Sequence, residues 1–260
     1  MADPHELEDD TGVRVRLPGR VERVVSLVPS LTESVAATAP GLLAGATDWC
    51  THPQSLDVPR VRGTKNPDVE RVIGLRPDLV LANEEENRVP DLEALRAAGI
   101  PVWVTVIRTV DEALTSLRRM LTEACGLPAP SWLEAAGRAW SDHPAPGPGT
   151  RRAVIPIWRR PWMVVGRDTF AGDVLARLGV ANVYAGHPER YPRIPIEEIL
   201  AAAPDLVVLP DEPYAFGPAD GPECFPGLET ALVSGRDLTW YGPSLVDAPS
   251  RLREALAGPS

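Results

Sequence analysis

The chain has 260 residues, 44% of them hydrophobic and 24% charged, with a formal net charge of −10; this is the make-up of a folded globular protein, not of a disordered or fibrous one. The carboxylate excess repels phosphate backbones and anionic lipid, so nucleic acid is not expected as a partner. No apolar run approaches the roughly 18 residues needed to span a bilayer, so no membrane helix is expected. Cys50, Cys125 and Cys224 are too few and too scattered for a disulfide framework.

The first residues, "MADPHELEDDTGVRVRLPGR", read as a flexible arm or an edge hairpin over 1–20. They are acidic and lack the basic flank and apolar core of a secretory signal, so a cytoplasmic location is expected for the sequence as it stands. "RVVSLVPS" follows as a buried strand, and Ser30 with Glu33 forms a capping-box pattern opening a helix. Asp68 precedes a short amphipathic helix, "VERVIGL", and "DLVLA" is a buried strand. "DLEALRAAGIPVWVTV" repeats the alternation of helix and strand, with Gly99 as the helix stop. Residues 109–126 contain no proline and place Val110, Leu114, Leu117 and Leu121 at helical spacing; "PSWLEAAGRAW" continues this helix or forms a second one, and "SDHPAPGPGT" is a loop.

The second half begins again with the strand "RRAVIPIW", then a helix capped by Asp168 and stopped by Gly179. "IPIEEILAAAPDLVVLP" is a helix and a strand. An irregular loop follows over 211–226, then a helix from about Gly227, a strand near Leu238 and a last helix in "SRLREALA". The two halves share a sentence: "VERVIGLRPDLVLANEEE" at 69–86 returns as "IEEILAAAPDLVVLPDEP" at 196–213, with Asp78 aligned to Asp205. Alternating strands and helices imply parallel sheets covered by helices. The expected fold is therefore α/β, with two similar lobes, parallel-type sheets flanked by helices, a single rigid backbone helix joining them, and a ligand cleft between the lobes. Its parts are an N-terminal arm (1–20), an N-terminal α/β lobe (21–108), a connecting helical region (109–141) and a C-terminal α/β lobe (142–260).

In order along the chain, "RVVSLVPSLTE", "LLAGATDWCTHP", "RGTKNPDVERVIGLRPDLVLA", "LRAAGIPVWV" and "IEEILAAAPDLVVLP" resemble the cobalamin and iron-siderophore substrate-binding proteins of ABC importers. The likeness covers nearly all of 21–257, and "DWCTHP" followed by "VRGTKNPDVERV" is more similar to the cobalamin-binding branch than to the siderophore branches. It implies a metal-chelate receptor for a corrinoid such as cobalamin, with that corrinoid as ligand, no intrinsic cofactor, and an ABC permease as docking partner. In that family docking uses a surface glutamate on each lobe. Glu70 matches the first, and the second falls near "SLVDAPSR", where Val246 stands with Asp247 beside it. A monomer is expected. The missing export signal departs from the family pattern and keeps open a second reading, a cytoplasmic protein that senses or handles corrinoids or metal chelates through a soluble partner. A ferric siderophore is the alternative ligand.

In parallel α/β sheets, ligands meet the loops at the carboxyl ends of strands. Trp49, Trp158, Trp162 and Trp240 fall in such loops, and aromatic planes suit a broad, flat, partly apolar ligand, although core packing explains any one of them equally well. Arg159 and Arg160 flank the same motif and offer forked donors or simply exposed charge. In "NEEEN", Asn83 and Glu84 stand nearest the strand end and are expected contacts; Glu85, Glu86 and Asn87 continue the acidic turn, which a solvated helix start explains as well. Ser30, Thr64 and Tyr214 complete the expected set. Cys50 and His52 cannot build a tetrahedral structural site, so no permanent metal is expected, but either is chemically able to approach the metal of a bound chelate; His187 stays undecided. No serine elbow, phosphate loop, dinucleotide motif or zinc-protease motif is present, and binding without turnover is expected, with an enzyme on the same fold as the minority reading.

Overall fold

The computed structural model describes residues 3–143 and 151–258; the greater part of the loop "SDHPAPGPGT" lies outside them. The chain forms two compact units. Unit 1 holds Met1–Ile107, Asp111–Glu134 and Tyr241–Pro243, and unit 2 holds Arg108–Val110, Ala135–Trp240 and Ser244–Ser260.

In unit 1, strands β1 (His5–Glu8) and β2 (Arg14–Leu17) pair as an antiparallel hairpin. Then come β3 (Val24–Ser26), α1 (Pro29–Thr38), β4 (Leu43–Ala46), the two-residue strands β5 (Arg62–Gly63) and β6 (Asn66–Pro67), α2 (Val69–Gly74), β7 (Leu79–Asn83), α3 (Val89–Ala97) and β8 (Val102–Thr105). The main sheet is parallel, in the order β4-β3-β7-β8. Val25, Val80, Ala82 and Val104 from its strands pack with Val72, Leu92 and Leu95 from its helices. Of the two expectations for 1–20, the described residues form the hairpin, and its turn is tied to the β8 edge. The buried Asp9 carboxylate accepts from Thr11 N (2.9 Å), Val13 N (3.0 Å) and Val104 N (3.2 Å). Asp10 accepts from Val106 N (3.2 Å) and from Arg119 Nη1 (2.6 Å). Covering an edge in this way removes a template for unwanted strand pairing.

The connecting region is helical in two pieces, not one. Helix α4 (Val110–Arg119) runs into a π-helical turn over Met120–Ala124, and α5 (Ser131–Ser141) starts afresh. The sequence between them explains the break: Gly126 sits at φ 67°, and Pro128 and Pro130 cannot donate to a helical ladder.

Unit 2 contains β9 (Arg151–Val154), β10 (Pro156–Trp158), β11 (Met163–Val164), α6 (Phe170–Arg177), β12 (Val180–Asn182), α7 (Ile196–Ala201), β13 (Leu206–Pro210), β14 (Glu229–Val233), α8 (Gly235–Thr239) and α9 (Ala248–Leu256). Its main sheet is parallel, in the order β12-β9-β13-β14. Each unit therefore arranges its four parallel strands as second, first, third, fourth, and the internal repeat is a repeat of topology.

The duplicated Pro-Asp serves that topology. Asp78 Oδ2 accepts from Glu22 N (2.8 Å) and Arg23 N (2.9 Å), while Arg23 returns its guanidinium to Leu75 O (2.8 Å). Asp205 Oδ2 accepts from Arg152 N (2.8 Å), and Arg152 reaches Ala203 O (3.3 Å) and Ala202 O (3.2 Å). In both units this aspartate, one residue before the third strand, clasps the start of the first. The residue before each proline is left-handed, Arg76 at φ 47° and Ala203 at φ 45°. Asp78→Ala and Asp205→Ala should each cost about 1–3 kcal/mol, since backbone N–H groups lose a charged acceptor; chemical denaturation of each variant measures it, and unchanged midpoints would refute the clasp.

Four expectations are corrected. Helix α1 is capped by Val28 with Pro29 in its first turn, so Ser30 and Glu33 lie inside the helix and form no capping box. Helix α6 is capped by Thr169, whose hydroxyl accepts from Gly172 N (3.3 Å); Asp168 stands outside at φ 49°. The helix expected from Gly227 is strand β14, and the strand expected near Leu238 is helix α8. Parallel pairing of Glu229–Val233 with β13 overrides local helical propensity, and Ser234 then caps α8 by accepting from Asp237 N (3.4 Å).

Within unit 2, helix α6 holds both ends of the connecting region. Asp173 Oδ2 accepts from Val110 N (2.9 Å) and from Arg177 Nε (2.8 Å), and Arg177 Nη1 donates to His143 O (3.1 Å). The His143 ring lies edge-on to Trp140 (5.7 Å) and accepts at Nδ1 from Arg253 (3.1 Å). Burial, and then the neighbouring Arg253 charge, push the His143 imidazole below its ordinary pKa. The unfolded chain therefore takes up this proton at a higher pH than the folded one. The associated stability is present in full above about pH 6.5 and declines as pH falls through that value. His143→Gln should flatten the fall in melting temperature between pH 7.5 and pH 5.5; an unaltered pH slope would overturn the assignment. At the sheet's amino end in unit 1, a cavity of ≈ 620 Å³ is lined by residues including Val21, Leu42 and Cys125. It lies away from the loops that follow the strands. Tyr241–Pro243 return to unit 1, where a Cβ on Gly242 would sit 3.0 Å from Ser34 Oγ and 3.2 Å from Ser30 O on α1.

Candidate functional site

In a sheet ordered second, first, third, fourth, the chain leaves the first and third strands in opposite directions, and a crevice opens beyond their carboxyl ends. In unit 2 those strands are β9 and β13. The loops they lead into carry a continuous run of rings. Trp162 stacks on Phe216 (6.1 Å, 4° between planes) and meets Phe225 edge-on (5.3 Å); Phe216 touches Tyr214 (4.6 Å), and Tyr214 meets Trp158 edge-on (5.7 Å). The run is graded. Phe216 and Phe225 are buried in the core with Val154 and Leu209, Tyr214 and Trp162 are half-buried, and Trp158 is 43% exposed.

Arg159 sits against this run, with its guanidinium 5.7 Å from the Trp162 ring. It is not a free cation. Its Nη1 pairs with Asp220 and with Glu223 (2.8 Å), and Nη2 lies 3.1 Å from Cys224 Sγ. Tyr214 donates its hydroxyl to Asp220 Oδ2 (2.7 Å). The Arg159 hydrogen bond, helped by the Gly221 N–H, brings the Glu223 carboxyl down to about 2. Burial and the Glu223 hydrogen bond push the Cys224 thiol up, so it is a poor nucleophile near neutral pH. Arg160 is exposed, at φ 73°. Trp240 is only 6% exposed and belongs to the packing behind α8, against the expectation of a ligand contact. Phe216, Phe225, Asp220 and Glu223 were not anticipated; the aromatic and acidic content of "YAFGPADGPECFPG" was the available signal.

In unit 1 the corresponding strands are β3 and β7. Asn83, expected at the ligand, is a structural bracket instead. Its amide donates to Thr105 O (3.0 Å) and Oγ1 (3.1 Å), and its carbonyl accepts from Glu85 N (2.9 Å) and Glu86 N (3.3 Å). Asn87 ties the two loops together by donating to Leu27 O (3.3 Å) and Thr64 O (2.9 Å). Thr64 is half-buried, Ser30 is buried in α1, and Glu84 is exposed. Lys65 donates to Glu85 O, and burial pushes the Glu86 carboxyl up, with Lys65 opposing it.

After β4, Trp49 is the most exposed large hydrophobic side chain among the described residues, at 65%. Its neighbour Cys50 is fully buried against Thr32 Oγ1 (2.9 Å) and Thr47 Oγ1 (3.1 Å), and burial raises its thiol. Cys50 is therefore part of the loop's packing. Arg60 stitches this loop by donating to Thr47 O (3.0 Å), Cys50 O (2.9 Å) and Leu56 O (3.1 Å). The half-buried His52 has Nδ1 3.1 Å from Thr51 Oγ1, and His187 Nδ1 accepts from Glu189 N (3.0 Å). Among the described residues, no three His, Cys, Asp or Glu side chains converge as a metal site, and no helix is long and apolar enough to cross a membrane. Glu70 is exposed in the first turn of α2.

Two parallel α/β units of identical strand order, with aromatic loops beyond the strand ends, define a two-lobed α/β fold. No family model matches the chain. A vitamin B12-binding protein of Pectobacterium carotovorum subsp. carotovorum is 25% identical over 199 residues, 74% of this chain and 72% of that protein. The corresponding Vibrio cholerae protein is 23% identical over 207 residues, 77% and 74% of the two chains. Among solved structures, the periplasmic vitamin B12 binding protein BtuF of Vibrio cholerae superposes with a TM-score of 0.70 at 20% identity, covering 91% of this chain and 97% of that one. The periplasmic heme-binding protein BhuT, in complex with two hemes, gives 0.74 at 23% identity, covering 90% and 97%. Helicobacter pylori CeuE with Ni(II) bound gives 0.78 at 16% identity, covering 98% and 91%. The chain is thus similar in sequence to vitamin B12-binding proteins and shares its fold with periplasmic binding proteins.

Proposed function

We propose that the protein is a non-enzymatic receptor for a metal chelate, a corrinoid first, held against the aromatic loops and delivered to an ABC permease. The observation that carries this reading is the graded ring platform of unit 2, from Phe225 and Phe216 in the core to the half-exposed Trp158. Such a platform offers wide, rigid contact area with little side-chain entropy left to lose. The relatives named as vitamin B12-binding favour a corrinoid; the heme-binding neighbours make heme the principal competitor, with ferric siderophores beside it. Within unit 1, Trp49, His52 and Glu84 are the exposed or half-buried groups proposed as that unit's ligand contacts. On this reading the protein works outside the cytoplasm, as the periplasmic proteins with the same fold do.

For docking, the internal repeat offers a second position besides the one near Val246. Glu70 in the first turn of α2 has Glu197 as its counterpart in the first turn of α7, and both are exposed. Glu70→Arg combined with Glu197→Arg should abolish ligand-stimulated ATP hydrolysis by the reconstituted importer while leaving chelate binding intact. Loss of binding itself would count against a docking role. The primary test is calorimetric titration with cyanocobalamin, hemin and a ferric siderophore. Saturable one-to-one binding of cyanocobalamin is expected, and absence of heat with all three would end the receptor reading.

A further inference from the structure

Resting on that receptor reading, we infer that Asp220 and Glu223 set the charge class of the ligand: by occupying Arg159 they fit the platform to chelates with a neutral, amide-bearing rim and turn away those with a carboxylate or catecholate rim. A guanidinium is the natural partner of an anionic ligand group, because its forked donors meet two oxygens at once. Here that role is already filled from within the chain. Nη1 is engaged by both Asp220 and Glu223, Nη2 points to the Cys224 sulfur, and Trp162 lies beside the guanidinium.

Two carboxylates on one guanidinium leave the cluster with an excess negative charge before any ligand arrives. The Tyr214 hydroxyl, which also lies in the platform, is turned toward Asp220 as a donor. An incoming anion would meet engaged donors and like charge, whereas amides can both donate to the free carboxylate lone pairs and rest on the rings. Arg160, next in the chain, is solvent-exposed, where salt screens its charge. Arg159 is held less accessible than either acid partner, with 15% of its side chain exposed against 46% and 49%. The acids thus stand between the cation and solvent.

The test compares hemin with hemin dimethyl ester, in which neutral methyl esters replace the two rim carboxylates, and uses cyanocobalamin as the amide-rimmed reference. Wild-type protein should bind the dimethyl ester at least about tenfold more tightly than hemin. Asp220→Asn combined with Glu223→Gln keeps the shapes and frees the guanidinium, and should raise hemin affinity about tenfold or more with little change for the ester. Adding Arg159→Gln to that pair should return hemin affinity to the wild-type level. Equal affinities for hemin and ester in wild type, or no gain in the freed variant with an unchanged melting temperature, overturn the inference and leave the receptor reading standing. Failure of wild type to bind any of the three ligands overturns both.

Discussion

Trp158→Ala is expected to weaken chelate binding roughly 10- to 100-fold, equivalent to about 1.4–2.8 kcal/mol, with the fold intact. Trp158 is the outermost ring of the platform and is 43% exposed, so its removal opens no core cavity. It meets Tyr214 edge-on, which fixes its plane before a ligand arrives. Trp158→Phe should recover most of the affinity. Trp240→Ala supplies the contrast: that ring is 6% exposed, and its loss should lower the melting temperature by creating a cavity. Calorimetry and thermal unfolding on the same preparations separate the two effects. A Trp158→Ala protein that binds as tightly as wild type would remove the platform from the site.

The second large effect is on stability. Asp173→Ala should cost about 3–5 kcal/mol, because it breaks a buried ion pair. The pair is 2.8 Å apart, with 4% of the Arg177 side chain and 9% of the Asp173 side chain exposed. Val110 N would lose its acceptor at the same time. The melting temperature should fall by on the order of 10 °C, whereas removal of the exposed partner in the Arg20–Glu22 pair should change it little. A fall of a degree or less would show that the pair is not what anchors this region.

The alternation of strand and helix, the repeat and the Pro-Asp units were legible because they depend on local periodicity and on proline and glycine at fixed offsets. What was lost depended on long-range partners. Glu229–Val233 reads as helix until β13 offers it a parallel edge. Asn83 reads as a contact until Thr105, from the neighbouring strand, takes its amide. Arg159 reads as an available cation, and its neutralisation by residues more than sixty positions away is invisible in a linear motif. Trp158, Trp162 and Tyr214 were found because aromatic side chains in loops are conspicuous. Phe216 and Phe225 escaped notice because phenylalanine in a chain is first read as core, which here is also true.

Unit 1 is assembled from three separated stretches, the last of them only Tyr241–Pro243, where Gly242 lies against the first turn of α1. During synthesis that last stretch leaves the ribosome roughly a hundred residues after Glu134, on the order of 10 s later. The unit that begins the chain is therefore completed only shortly before the one that ends it. Its α1 surface must wait, incomplete, until almost all of the polypeptide has been made, and a nascent chain arrested before residue 241 should remain sensitive to protease along α1.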